Sequence, residues 1–154
     1  MALNDSFTDA LEKIKEVLPV DPDVSAFCQE KYGRPLTVEL VLRSVKQISP
    51  DECPIIMITR PTWEPKNEPG MTAKILHDVL LYGMIYQMDK GKAVLEIIQF
   101  EELIDEALQR NANLGGLVAD IIPAGTGTDE GVFNPKYAFV KAVKVIKHVN
   151  QLMR

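Results

Sequence analysis

One stretch limits the possible folds more than any other: "DKGKAVLEIIQFEELIDEALQRNANLGG", Asp89 to Gly116. Ala93, Ile97, Phe100, Ile104, Ala107 and Leu108 recur at helical spacing and form one apolar stripe, with Glu102, Asp105, Glu106 and Gln109 opposite. A helix of this kind is stable only when the stripe is buried against another layer. Asp89 stands where an N-cap is needed, and Gly115 or Gly116 can take the left-handed conformation that ends a helix.

The layer it packs on is written in a different period. "TVELVLRSV", Thr37–Val45, alternates Val38, Leu40 and Leu42 with Glu39 and Arg43, which predicts a strand. "CPIIMIT", Cys53–Thr59, predicts a buried strand. The short intervening "KQISPDE" suggests that the two pair as an antiparallel hairpin. "RPTWEPKNEPGM" holds three prolines and reads as an extended loop. In Thr72–Met88 helix and strand compete, but two aromatics and a mid-run glycine favour a long strand with a bulge at Gly83. After the long helix, "LVADIIP" reads as a brief strand and "AGTGTDEGVFNP" as a glycine-rich loop. In the closing "KYAFVKAVKVIKHVNQ", the valine content favours a strand over a helix. Ahead of these, residues 6–18 predict a helix capped by Ser6. A second helix is predicted over Pro22–Tyr32, with Asp21 or Asp23 near its start and Gly33 as its stop.

The expectation is therefore one α+β domain over residues 1–154. N-terminal helices lie in 1–33, followed by a mostly antiparallel sheet with one long helix packed on a face (37–149). A chain of 154 residues is about one domain long. Its apolar and charged fractions of 46% and 25% are those of a soluble globular protein. No window reaches the roughly 18 apolar residues of a membrane span, and the acidic N-terminal stretch does not read as a signal peptide. Cys28 and Cys53 lack metal or redox spacing and read as buried thiols. The net charge of −5 argues against bulk nucleic-acid binding. Its distribution is uneven: eight acids against Arg110 between Glu96 and Glu130, then only lysines and Arg154 after Asn134.

No catalytic pattern stands out. "AGTGTDEG" lacks the lysine and hydroxyl of a phosphate-binding loop, and Asp129 and Glu130 would repel phosphate. His77 and His148 have no partner at ligand spacing. Asp78, as a strand neighbour of His77, points to the opposite face. No cofactor and no metal site are expected. Two features suit a binding surface instead. Trp63, the single tryptophan, sits in the proline-braced segment, either as a lid on the core or as an anchor in a partner's pocket. The segment from Gly125 through Gly127 and Asp129 to Gly131 reads as a rim that orders on assembly.

The helix passing through "ALQRNANLGGLVADI" into a strand resembles the tail-terminator (tail-completion) proteins of long-tailed bacteriophages, in which a helix ends in an "L-GG-L" segment that leads into the sheet. The "CPIIMI" strand, the aromatic "LLYGMIYQ" strand and the final strand extend the likeness over about Thr37–Val149. The resemblance implies a structural virion protein, not an enzyme, that assembles with itself into a six-membered ring at the head–tail junction. Such a ring caps the tail tube protein and offers a surface to the neck or head connector. It would be made in the host cytoplasm, without membrane or sequence-specific nucleic-acid partners.

A ring needs unlike surfaces on each subunit. The acidic helix face (Glu102, Asp105, Glu106) and the basic last strand (Lys141, Lys144) are candidates to meet across subunits. Three alternatives remain on sequence grounds. The first is another head–tail joining protein, a neck or stopper subunit. The second is a small enzyme using Asp78, His77 or Glu101, and the third is a ligand-binding α+β domain.

Overall fold

A computed structural model of the chain describes residues 7–66 and 73–149, the side chains of residues 65, 66, 73, 148 and 149 excepted. The Ser6 cap therefore falls outside the described residues. The order is α1 (Thr8–Val20), α2 (Pro22–Tyr32), β1 (Thr37–Glu39), β2 (Ile55–Lys66), β3 (Ala73–Tyr86), α3 (Lys90–Arg110), β4 (Asp120–Thr128) and β5 (Lys136–Val149). The strands form one five-stranded sheet in the order β1-β2-β3-β5-β4. It is antiparallel except where β1 runs parallel to β2. The fold is α+β.

Alternation decides what each face of the sheet does. Ile56 and Ile58 of β2, Val79, Leu81 and Ile85 of β3, and Tyr137, Phe139, Val143 and Val145 of β5 share one core with the helices. That core takes Ile14 and Leu18 from α1, Phe27 and Cys28 from α2, and the whole stripe Ala93, Ile97, Phe100, Ile104, Ala107 and Leu108 from α3. All three helices thus cover one side. Gly83 makes this packing possible. The register of β3 runs through it without a bulge, and a side chain there would collide with the buried ring of Phe139. Gly83 is small for packing, so no break in the pleat is needed.

The helix ends follow their residues. Asp21 accepts from the amides of Asp23 and Val24 at 3.2 and 3.1 Å, Pro22 opens α2, and Gly33 closes it at φ 68°. Arg110, at the far end of α3, clamps the same Asp21 carboxylate through Nη2 at 2.7 and 2.8 Å. Asp89 caps α3 by accepting from the Gly91 amide at 2.9 Å. The helix stops at Arg110, ahead of the glycines, where the Asn111 side chain donates to the Ala107 carbonyl at 2.8 Å. Gly115 and Gly116, both at positive φ, shape a separate 3-10 turn (Leu114–Gly116) that re-aims the chain into β4.

Besides the bulge at Gly83 and the glycine stop of α3, three expectations need correction. The first two strands are not a hairpin, because β1 ends at Glu39 and Thr37 pairs with Ile55 in parallel. The connection is long enough for that crossover. It holds two 3-10 turns, at Val45–Gln47 and Pro50–Glu52. In them Gln47 and Glu52 accept from the amides of Ser44 and Ser49 at 3.0 and 2.8 Å, the capping-box pattern S-x-x-Q/E.

The proline-rich segment is strand as far as Lys66, with a register shift between Thr59 and Thr62. Beyond Met57 no strand among the described residues pairs with the outer side of β2. Prolines are tolerated on such an edge. Lastly, "AGTGT" is not loop but the second half of β4, paired with Phe139–Ala142 after a shift between Pro123 and Gly125. The turn that follows is ordered by the amides of Val132, Asn134 and Lys136, which donate to Asp129, Gly131 and Phe133 carbonyls.

Candidate functional site

On the sheet side away from the helices, the outward positions are not the polar set expected of a solvated face. They run Leu76, Asp78, Leu80, Tyr82 and Met84 on β3, and Ala138, Val140, Ala142, Lys144 and Ile146 on β5. At the end near Met84, the connection between β1 and β2 covers this face. Ile48, Cys53, Ile55, Met57 and Met84 form a second, smaller core there, with Val45, Tyr82, Tyr86 and Ala138 packed against it. Where the cover stops, a cavity of about 480 Å³ opens. Its floor is Met57, Tyr82, Met84 and Val140, and its walls are Leu42 and Val45 on one side and Phe133 of the turn on the other. An adjoining recess of about 490 Å³ shares Val45 and Phe133 and carries Lys46 and Lys136. The Lys136 ammonium donates to the Val45 carbonyl at 3.0 Å, tying the turn to the connection.

Asp129 lines the first cavity. Its Oδ1 accepts from the amides of Gly131 and Ala138 at 3.0 and 3.2 Å, while its Oδ2 is buried with no hydrogen-bond partner among the described residues. The arrangement is a mainly apolar groove with one acceptor in its wall and a basic neighbour. Such a groove suits binding of an apolar surface. Mid-face, Lys144 pairs with Asp78 at 2.7 Å, and the Thr62 hydroxyl donates to the same carboxylate at 2.6 Å. Those bonds, from Lys144 first and Thr62 second, hold Asp78 below its usual range, and the Asp78 bond raises Lys144.

The candidate residues are scattered. Glu102 and Glu106 lie on the outer face of α3 and line a groove with Glu30 and Gln99. Asp105 and Lys141 pair with each other inside the chain. Lys141 is 3% exposed beneath α3, its ammonium 3.0 Å from Glu101 and 2.9 Å from Asp105 of its own chain. Burial pulls its pKa down, and the bonds from Asp105 and Glu101 more than reverse that. A charge buried and paired inside the fold is not available to a neighbour. Gly125 and Gly127 stand exposed on the edge strand β4, so the rim is a paired strand, not a segment awaiting order. Trp63 is also on an edge, opposite His77 in register and 53% exposed, hence no lid on the core.

The residues of the small-enzyme alternative do not converge. Asp78 is on the open face, whereas Glu101 is on α3, paired with Lys141 on the helix-covered face. His77 is buried among the helices, its ring 3.7 Å from that of Phe7. Arg60 lies 3.2 Å from His77 Nδ1, and since guanidinium only donates, Nδ1 is the bare nitrogen and Nε2 carries the hydrogen. Burial first, then Arg60 and Lys147, push this imidazole down to about 4. Cys28 and Cys53 are buried in separate cores, and burial raises their thiols to about 12 and about 11. Among the described residues no three His, Cys, Asp or Glu side chains gather as a metal site, and no helix is long and apolar enough to cross a membrane.

The groove went unforeseen because its walls come from a connection and a turn that sequence periodicity does not register. The capping boxes and the isolated Leu42 and Phe133 were the available signs. A second unforeseen feature is an apolar patch on α3 itself: Val94, Leu95 and Ile98 are 55%, 64% and 42% exposed. A scan against protein-family models and a search of curated proteins return no match to this chain.

Proposed function

We propose that this protein is a subunit of a ring-forming tail terminator, which caps a bacteriophage tail tube and joins it to the neck. The observation that carries the reading is the apolar groove on the sheet face the helices leave open, an exposed surface of the kind that marks protein contacts. Two further features support it. The segment with the family likeness has the local geometry the likeness implies, a helix leading through Leu114–Gly116 into β4. The polar groups that might have formed a reaction centre are consumed in pairs that tie elements together, as Lys141 does with Glu101 and Asp105.

The test is assembly. Purified protein is mixed with its tube protein and followed by native mass and negative-stain imaging. Rings seated on tube ends, with elongation stopped, are the expected result. Tubes that grow undisturbed and carry no bound protein would overturn the proposal. Rings that bind a head connector and ignore the tube would point to a neck or stopper subunit instead.

A further inference from the structure

We infer that the subunits of the assembly meet head to tail, the outer ridge of α3 in one copy seated in the sheet groove of the next. The inference rests on the ring-forming reading above and names the contact that would build the ring.

Val94, Ile98, Glu102 and Glu106 recur every four residues and so stand in one row along α3, with Leu95 beside the first two. The row changes character along its length. Its N-terminal half is apolar and exposed, and its C-terminal half is acidic and exposed. The opposite side of the molecule shows the same change in complementary form. The groove floored by Tyr82 and Val140 is apolar, and the recess that shares Val45 and Phe133 with it holds Lys46 and Lys136. Lys136 spends one of its three donors on the Val45 carbonyl, leaving two for a carboxylate. An apolar-then-acidic ridge thus faces an apolar-then-basic trough, and the occupant the trough fits is a second copy of this chain.

Position strengthens the match. The α3 ridge points away from the sheet on the helix side, and the groove opens on the other side. Two unlike patches on opposite faces do not satisfy each other across a two-fold axis. They repeat head to tail, closing a ring when the rotation allows. The role foreseen for the acidic helix face is kept, but its basic partner moves from Lys141 and Lys144 to Lys46 and Lys136, because Lys141 is taken up inside the fold and Lys144 is paired with Asp78.

Two charge-reversed proteins test this. One carries Glu102→Lys and Glu106→Lys, the other Lys46→Glu and Lys136→Glu. All four positions lie outside both cores, so circular dichroism should match the parent, with the melting temperature lowered only as far as the lost Lys136 bond to the Val45 carbonyl requires. By native mass, with tube protein present, each alone should associate about tenfold or more weakly than the parent. Mixed in equal amounts they should assemble again, because alternating subunits restore opposite charges at every contact. Ile98→Asp should abolish assembly outright. If the parent forms rings and each reversed protein does so equally well, this contact is wrong and the ring reading stands. Loss of rings without recovery on mixing also overturns the pairing. A parent that stays monomeric even with the tube sinks both.

Discussion

His77 shows how a single buried side chain records the folded state in its protonation. It stacks on Phe7, accepts from Arg60 and has cations, not carboxylates, as its nearest charges. Its folded pKa of about 4 lies below the ordinary 6.5, so between those values the unfolded chain binds the extra proton. Stability should accordingly be intact above about pH 6.5 and fall as the pH drops toward 4, by at most about 1.4 kcal/mol per pH unit for one proton. His77→Phe keeps an aromatic ring against Phe7 and has nothing to titrate. Urea midpoints at pH 7 and pH 4.5 should therefore fall less in the variant than in the parent. Equal losses would assign the acid sensitivity to other groups. Sequence alone located His77 on a strand with Asp78 turned away, and both are so. It did not show that Lys141 would be buried, because the carboxylates that pair with it come from α3, forty residues away at Glu101.

At the scale of elements, the junction of α1, α2 and α3 is held by one carboxylate. Asp21 caps α2 with two amide hydrogen bonds and also receives the Arg110 fork, while itself 6% exposed. Removing a cap typically costs 0.5–2 kcal/mol, or about 1. Leaving Arg110 without its partner adds to that, although the arginine is partly in solvent, where such pairs are worth at most about 1 kcal/mol. Asp21→Ala should then destabilise by about 2 kcal/mol in urea titrations. Asp21→Asn keeps the cap acceptor and should cost about half as much, as should Arg110→Ala. An asparagine as damaging as alanine would mean that charge, not capping, dominates. This end of the chain was readable, since Asp21, Pro22 and Gly33 are local signals acting on their own helix. So were α3, β3 and β5, whose periods extend over many residues. The misread elements are those whose state depends on a neighbour. Pro61 and Pro65 are compatible with β2 because β1 covers only Ile55–Met57, and Gly125 and Gly127 are strand because β5 pairs with them. Neither fact is written in the segment itself.

For the whole molecule, the question is whether the N-terminal helices are an appendage or part of one cooperative unit. Residues 1–33 form a distinct stretch in sequence, but Ala10, Ile14 and Leu18 of α1 are fully buried in the same core as Val79, Phe100 and Phe139. Asp9 bonds to Lys147 near the end of β5 at 2.9 Å, and Arg110 reaches back to Asp21. Peeling the helices off would bare the face of β3 and β5 that holds most of the buried apolar surface. Among the described residues there is no substitute cover on that side, because the connection between β1 and β2 protects only the other face. The helices and the sheet should therefore open together. In native-state hydrogen exchange, the slowest amides of α1, around Ile14 and Leu18, should show the same opening free energy as those of β3 around Val79 and Leu81. Addition of denaturant should lower both along one line. An α1 that exchanges through a separate, cheaper opening would divide the chain into two units, making the sheet and α3 alone the folding core. A cooperative unit has a further consequence for assembly: because α3 is fixed to the sheet by this core, its outer ridge and the groove on the far face keep a constant angle, and a constant angle between unlike surfaces is what lets a head-to-tail contact close after a set number of copies.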